Sequence, residues 1–177
     1  MLPTNVRPLI VPSSYFTTGA FPAPHVPLTA PDLALTCVML SGPASVLYVE
    51  PQMAESWRRK GIDWVAGSLT ELRRADERLR WTHESRDEDG QLNWIAFMND
   101  DGLGSSRLLL TDELARQFPE GYLVALPDRS CGLAISKRLG WNEHREVEAM
   151  VADMHKGATT PMCSDVREPR ELLPRAA

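Results

Sequence analysis

The chain has 177 residues and a mass of 19.8 kDa, which favours a single domain over several. Hydrophobic residues make up 43% and charged residues 24%, so a packed core is expected and wholesale disorder is excluded. A net charge of -5 and a pI near 5.4 argue against a protein that mainly binds nucleic acid or an anionic membrane, since both need a concentrated positive field.

The cysteines and the apolar segments predict a soluble protein in a reducing compartment. Cys37, Cys131 and Cys163 are an odd set without CxxC spacing, which favours neither a disulfide framework nor a cysteine-rich zinc site. The N-terminus carries no continuous apolar run of signal-peptide length. The run from Leu33 to Leu40 is far shorter than the roughly 20 residues of a membrane helix. We therefore expect a cytoplasmic protein that does not enter the membrane.

The first third of the chain predicts an arm, two strands and two helices. Residues 1–31 hold seven of the fourteen prolines, which predicts an extended proline-rich arm on the surface. The segments 33–40 and 45–50 are rich in Val, Leu and Tyr around Ser41-Gly42-Pro43, which indicates two strands joined by a turn. A helix is expected over 51–60, and a second from Ser68, where Ser68 and Glu71 have the spacing of a capping box.

The remaining elements follow from turn residues and periodicity. Asp89-Gly90 predicts a hairpin between strands 81–85 and 91–98. After a turn at 99–106, the sequence predicts an apolar strand at 107–110 and a short helix capped by Thr111. The further predictions are strands at 122–126 and 132–136, a helix at 142–156 and an irregular tail at 158–177 with room for one short edge strand.

These elements together predict an α+β fold with a largely antiparallel sheet and helices packed on one face. Tight turns join most neighbouring strands, and helical crossovers are few. The predicted organisation is an arm at 1–31, one domain at 32–157 and a tail at 158–177.

One helix offers a weak metal-binding pattern. His144, Glu148 and His155 fall on one face of the predicted last helix. The two imidazoles would be about 16 Å apart along the axis, which is too far to share an ion. A solvated turn is also the better interpretation of Asp100-Asp101-Gly102, because calcium-loop and phosphate-loop spacings are absent. We therefore predict no metal site and no cofactor.

A second pattern places a thiol and a hydroxyl in a turn. Ser130 and Cys131 lie in the turn after strand 122–126, where reactive groups often occur. A nucleophile needs a nearby base, and sequence alone does not locate one. A small core residue is the alternative role for Cys131.

Three segments follow one another along the chain: Pro31-Asp32-Leu33-Ala34-Leu35 through Tyr48, Ser105-Ser106-Arg107-Leu108-Leu109-Leu110, and the stretch from Gly121 to Arg129, which contains Val124-Ala125-Leu126-Pro127. Their order resembles the bacterial domain-of-unknown-function family numbered 1444. The resemblance covers about residues 31–136. It implies a strand, a helix, a serine turn and two further apolar strands, but no activity or catalytic residue.

The leading functional hypothesis is a bacterial accessory domain that binds a protein or a small ligand without catalysis. Its support is the lack of a recognisable set of nucleophile, base and orienting group. We predict the binding residues to be Ser105, Ser106, Arg107, Asp128 and Arg129, because the turns that carry them follow apolar strands and could meet at one sheet edge. Two alternatives remain open: a hydrolase or metal-dependent enzyme that uses His144 and Glu148 or Cys131, and a toxin-neutralising immunity protein.

Overall fold

A computed structural model describes residues 2–17, 22–42, 45–75 and 79–175 of the chain. It confirms an α+β fold whose strand pairs are antiparallel, although the strands form two sheets. The chain divides into two compact units, with unit 1 formed by Met1–Arg78 and Leu172–Ala177 and unit 2 by Leu79–Glu171. That residues 32–157 form a single domain stays a prediction.

Within its described residues, unit 1 contains four strands and three helices, in the order β1 (Val6–Pro12), α1 (Ser14–Thr17), β2 (His25–Pro27), β3 (Leu33–Gly42), β4 (Ser45–Tyr48), α2 (Pro51–Arg59) and α3 (Trp64–Ala75). Strand β3 pairs with β1 on one side and with β2 and β4 on the other. Ala54 and Trp57 of α2 pack in a core with Val6 of β1 and Cys37 of β3.

The proline-rich surface arm is not confirmed. Strand β1 is buried along nearly its whole length and pairs with β3 from Val6↔Met39 to Pro12↔Leu33. Pro8 and Pro12 fit this position because, in the described part of the chain, β1 pairs with β3 alone, and the outer side of an edge strand needs no backbone donors for sheet pairing. The proline content therefore marks a sheet edge.

Helix α3 begins earlier than the capping-box pattern at Ser68 and Glu71 predicted. Asp63 is the side chain at its start, where Oδ1 accepts hydrogen bonds from the amides of Val65 (2.9 Å) and Ala66 (3.1 Å). Ser68 is buried inside the helix and donates to the Val65 carbonyl. The predicted turn residue Pro43 and helix positions 76–78 lie outside the described residues.

Unit 2 is a five-stranded antiparallel sheet in the order β5-β6-β8-β7-β9. Its elements are β5 (His83–Arg86), β6 (Leu92–Phe97), a 3₁₀ helix (Ser105–Leu109), α4 (Thr111–Gln117), β7 (Tyr122–Asp128), β8 (Cys131–Ser136), α5 (Trp141–Lys156), β9 (Val166–Arg167) and a second 3₁₀ helix (Pro169–Leu172) that ends at the unit boundary. Gly90 has φ 77° in the hairpin between β5 and β6, as the Asp-Gly pair predicted. Val147 and Val151 of α5 pack against Leu133 and Ile135 of β8.

Two local predictions in unit 2 are wrong. The segment 107–110 belongs mostly to the 3₁₀ helix, not to a strand. A short apolar run does not distinguish a strand from a buried helical turn, and tertiary packing decides here. Leu110, not Thr111, is the residue that precedes α4, and no side chain caps that helix.

Candidate functional site

The two turns that carry the predicted binding residues meet in unit 2. The Ser105 amide and hydroxyl both donate to the Arg129 carbonyl oxygen, at 3.2 Å and 2.8 Å. Gly104 makes this approach possible, because a side chain on its Cα would overlap the carbonyl oxygens of Ser130 and Phe97. We call this arrangement, formed by Gly104, Ser105 and the turn Asp128–Cys131, the turn junction.

Three of the predicted binding residues lie inside the protein. Ser105 and Ser106 are fully buried, and Arg107 is only 5% exposed. The Arg107 guanidinium donates to both carboxylate oxygens of Asp101, at 3.0 Å and 2.6 Å. Their burial supports a structural role for these residues, and a direct role in ligand binding stays a prediction.

Asp101 is held ionised by its partner. Burial on its own raises the pKa of the Asp101 carboxyl, but the hydrogen bonds and charge of Arg107 and the Leu103 amide lower the pKa overall. The Leu103 amide donates to Asp101 Oδ1 at 3.0 Å. The ion pair of Asp101 and Arg107 thus holds the segment between β6 and the 3₁₀ helix in place.

Asp128 organises the turn between β7 and β8. Its Oδ1 accepts hydrogen bonds from the Ser130 amide (2.8 Å) and hydroxyl (2.6 Å), and its Oδ2 accepts one from the Thr160 amide (2.7 Å). Burial raises the pKa of Asp128, and these hydrogen bonds together lower it below its ordinary value. Asp128 therefore uses its carboxylate to hold the turn and the segment that follows α5.

Arg129 differs from Arg107 in what its side chain meets. Its backbone is fixed, because its amide donates to the Thr160 carbonyl at 3.1 Å and its carbonyl accepts from Ser105. Its side chain is partly exposed and has no carboxylate within ion-pair distance in the described part of the chain. The turn junction thus presents one guanidinium from a fixed backbone.

A cleft of about 390 Å³ lies beside the turn junction. Met98, at the end of β6, is 44% exposed, and Met154, on α5, is partly buried. Both thioether side chains line the cleft with Pro127, Asp128, Ser130 and Cys131. The volume falls within the range of ligand pockets, roughly 300–1,000 Å³, and methionine adapts its shape to different apolar groups.

Cys131 reaches this cleft as a protonated thiol. Burial, and after it the negative charge of Asp128, raises its pKa to about 12. A thiol that reacts as a nucleophile needs a lowered pKa, which positive neighbours supply. The environment of Cys131 is that of a small core residue, as its packing against Leu133 and Val151 also indicates.

The residues of the metal hypothesis all lie on α5. His144 and His155 are partly buried and Glu148 is exposed. Within residues 2–17, 22–42, 45–75 and 79–175, no three His, Cys, Asp or Glu side chains come together as an ion-binding group.

Over the same residues, no helix combines the length and apolar character needed to cross a membrane.

Comparisons of this chain with protein-family models, with curated proteins and with solved structures gave no match. The resemblance to family 1444 therefore stays a prediction, and the site is interpreted from its own geometry.

Sequence reasoning named the turn residues but missed Met98 and Met154. They are 56 positions apart, and no local pattern relates them. One signal was present: Met98 continues the alternation of Leu92, Trp94 and Ala96 beyond the end of the strand, where a turn begins. The side chain at the last position of that alternation, Met98, lines the cleft.

Proposed function

We propose that this chain is a bacterial cytoplasmic accessory protein that acts by binding a protein or a small ligand, without catalysis, at the cleft beside the turn junction. The ligand offers an apolar group to Met98 and Met154 and a hydrogen-bonding or cationic group to Ser130 and Asp128, which line the cleft with them. The observation that carries the proposal is a fixed turn whose exposed polar residues border an apolar cleft.

Binding is favoured over catalysis by the state of the cleft's reactive group. The high pKa of Cys131 leaves its thiol protonated at neutral pH, and the Ser130 hydroxyl donates to Asp128 within the turn. Neither group has the activated form that nucleophilic catalysis requires. The same groups do suit recognition, because their positions are fixed before a ligand arrives.

The cleft is tested with two probes that share an alkyl tail and differ in charge, hexanoate and hexylammonium. We expect hexylammonium to shift the methyl NMR signals of Met98 and Met154 in a saturable way, and hexanoate to bind more weakly because the ionised carboxylate of Asp128, which lines the cleft, repels it. Met98→Gln should weaken hexylammonium binding about tenfold, since it removes apolar contact area from the cleft.

The matched control is Leu47→Gln in unit 1, which replaces another exposed apolar residue (54% exposed). This variant should bind hexylammonium as the unaltered protein does. Equal loss in both variants, or no shift at Met98 and Met154 in the unaltered protein, would contradict the proposed site.

A further inference from the structure

A second cleft lies at the opposite end of the sheet of unit 2. Asp128 pairs with Cys131 at the turn junction, whereas Tyr122 pairs with Ser136 at the other end of the same two strands. The second cleft has a volume of about 480 Å³ and is lined at that end by Ser136, by residues from the hairpin β5–β6 and by the end of α4. We call it the arginine cleft because Arg86, Arg116 and Arg138 line it together.

Arg86 is held in place at the hairpin. Its Nε and Nη2 donate to the two carboxylate oxygens of Glu84, at 2.7 Å and 3.1 Å, and its Nη1 donates to the Gly90 carbonyl at 2.7 Å. A guanidinium has five N–H donors in a planar arrangement. Arg86 is therefore oriented while it keeps two donors for a ligand.

Arg138 is oriented by the turn of the same hairpin. Its Nη1 donates to Asp87 Oδ2 at 2.6 Å, and its Nη2 to Asn93 Oδ1 at 3.4 Å. The pKa of Asp87 is lowered, first by the hydrogen bond from Arg138 and then by the Gln91 amide, so the partner stays ionised. The Arg138 side chain is 27% exposed, which leaves one edge of the guanidinium open.

Arg116 supplies the least constrained charge. It lies in the last turn of α4, its side chain is 69% exposed, and its nearest carboxylate oxygen, on Glu113, is 4.0 Å away. Gln91 and Gln117 line the cleft beside it and add amide donors. Glu120 also lines the cleft and places one negative charge among these groups.

From this arrangement we propose that the arginine cleft binds a small organic phosphate. Three guanidiniums from three different segments can surround a tetrahedral group, and arginine forms charge-assisted, bidentate hydrogen bonds with phosphate oxygens. Glu84 and Asp87 each orient an arginine from one side, as partners that pre-arrange the donors before binding. The volume is larger than one phosphate group needs, so an organic part occupies the remainder. This site is separate from the cleft of the proposed function and does not depend on it.

The test uses inorganic phosphate as the probe and the full chain at constant ionic strength, because salt screens such contacts. We expect saturable shifts of the Arg86 and Arg138 side-chain Nε–H signals in NMR spectra. Arg116→Ala should weaken phosphate binding about tenfold, the loss of one charge-assisted contact. Glu120→Gln should act in the other direction and tighten binding, because it removes a repelling charge.

Arg170→Ala is the matched control, since Arg170 is an exposed arginine of unit 2 outside the cleft. It should bind phosphate as the unaltered protein does. Two outcomes overturn the proposal: phosphate binding that weakens equally in Arg116→Ala and Arg170→Ala, or phosphate binding that does not weaken in Arg116→Ala. Either means that phosphate responds only to the overall charge of the protein. Tighter binding of malonate than of phosphate overturns the assignment to phosphate.

Discussion

Arg107 and Arg129 lie on the two segments that meet at the turn junction, yet their side chains are in opposite situations. Arg107 is buried and bound through both nitrogens of its fork to Asp101, whereas Arg129 is partly exposed on a backbone fixed from both sides. The two segments of the junction therefore have different roles. The segment of Arg107 supports the interior of the protein, and the segment of Arg129 presents groups to solvent. The same residue type therefore predicts a large stability effect at one position and a small one at the other.

The largest effect should come from the contact that lets the two segments meet. Gly104→Ala places a methyl group onto the Ser130 and Phe97 carbonyl oxygens, and because both are backbone atoms, the strands themselves must shift. We expect a loss of about 4 kcal/mol in the free energy of unfolding of unit 2, or failure to fold. Urea denaturation with hydrogen exchange at the amides of β7 and β8 measures it.

Gly157→Ala is the control for this substitution. The added methyl group would meet its nearest atoms at 3.8 Å and 3.9 Å, which is ordinary contact. Its unfolding free energy should stay within about 1 kcal/mol of the unaltered protein. If Gly104→Ala is equally mild, the close approach at the junction is not required for the fold.

The different roles of Arg107 and Arg129 are tested by the unfolding free energies of Arg107→Ala and Arg129→Ala. Removal of Arg107 leaves Asp101 without its partner and opens space in the interior, so we expect a loss of about 3 kcal/mol in unfolding free energy. Arg129→Ala should change it by less than about 0.5 kcal/mol, as for a surface substitution. Urea denaturation measures both losses of unfolding free energy. Similar losses in the two variants would contradict the distinction between a supporting Arg107 and a solvent-presented Arg129.

The last prediction concerns how the contribution of the Asp101–Arg107 pair to stability changes with pH. The folded-state pKa of Asp101 lies below its unfolded value, so the pair with Arg107 stabilises the fold fully above the unfolded pKa of about 3.9, and this stabilisation is lost as the pH falls through the folded pKa. Asp101→Asn should therefore be less stable than the unaltered protein at pH 7, and the difference should shrink toward pH 3. A constant difference across this range, in urea denaturation at each pH, would mean that the charge of Asp101 contributes nothing.

Local signals in the sequence predicted much of the fold. The Asp89-Gly90 turn, the strands at β3, β7 and β8 and the helix α5 follow from turn residues and periodicity, which act over a few residues. The buried edge strand β1 did not follow, because proline content marks both surface arms and sheet edges. The 3₁₀ helix at Ser105–Leu109 did not follow either, since packing against Gly132 and the strand behind it decides its form.

The candidate site was only partly accessible to prediction. Two turns after apolar strands could be named in advance, but the burial of Arg107 depends on the fold of the loop that contains Asp101. The two methionines of the cleft and the three arginines of the other cleft come from segments far apart in the chain. Such groupings depend on long-range pairing, which a single sequence does not display.

The two units also differ in how the chain builds them. Unit 2 is one continuous stretch, whereas unit 1 includes a returning segment: the Thr29 amide donates to the Leu173 carbonyl at 2.9 Å, the Arg175 amide donates to the Pro27 carbonyl at 2.9 Å, and Leu28 bridges Pro174. During synthesis, every residue of unit 2 has been joined to the chain before unit 1 acquires these last partners. In a chain shortened to residue 171, unit 2 would still have its full sequence, whereas unit 1 would lack these three partners.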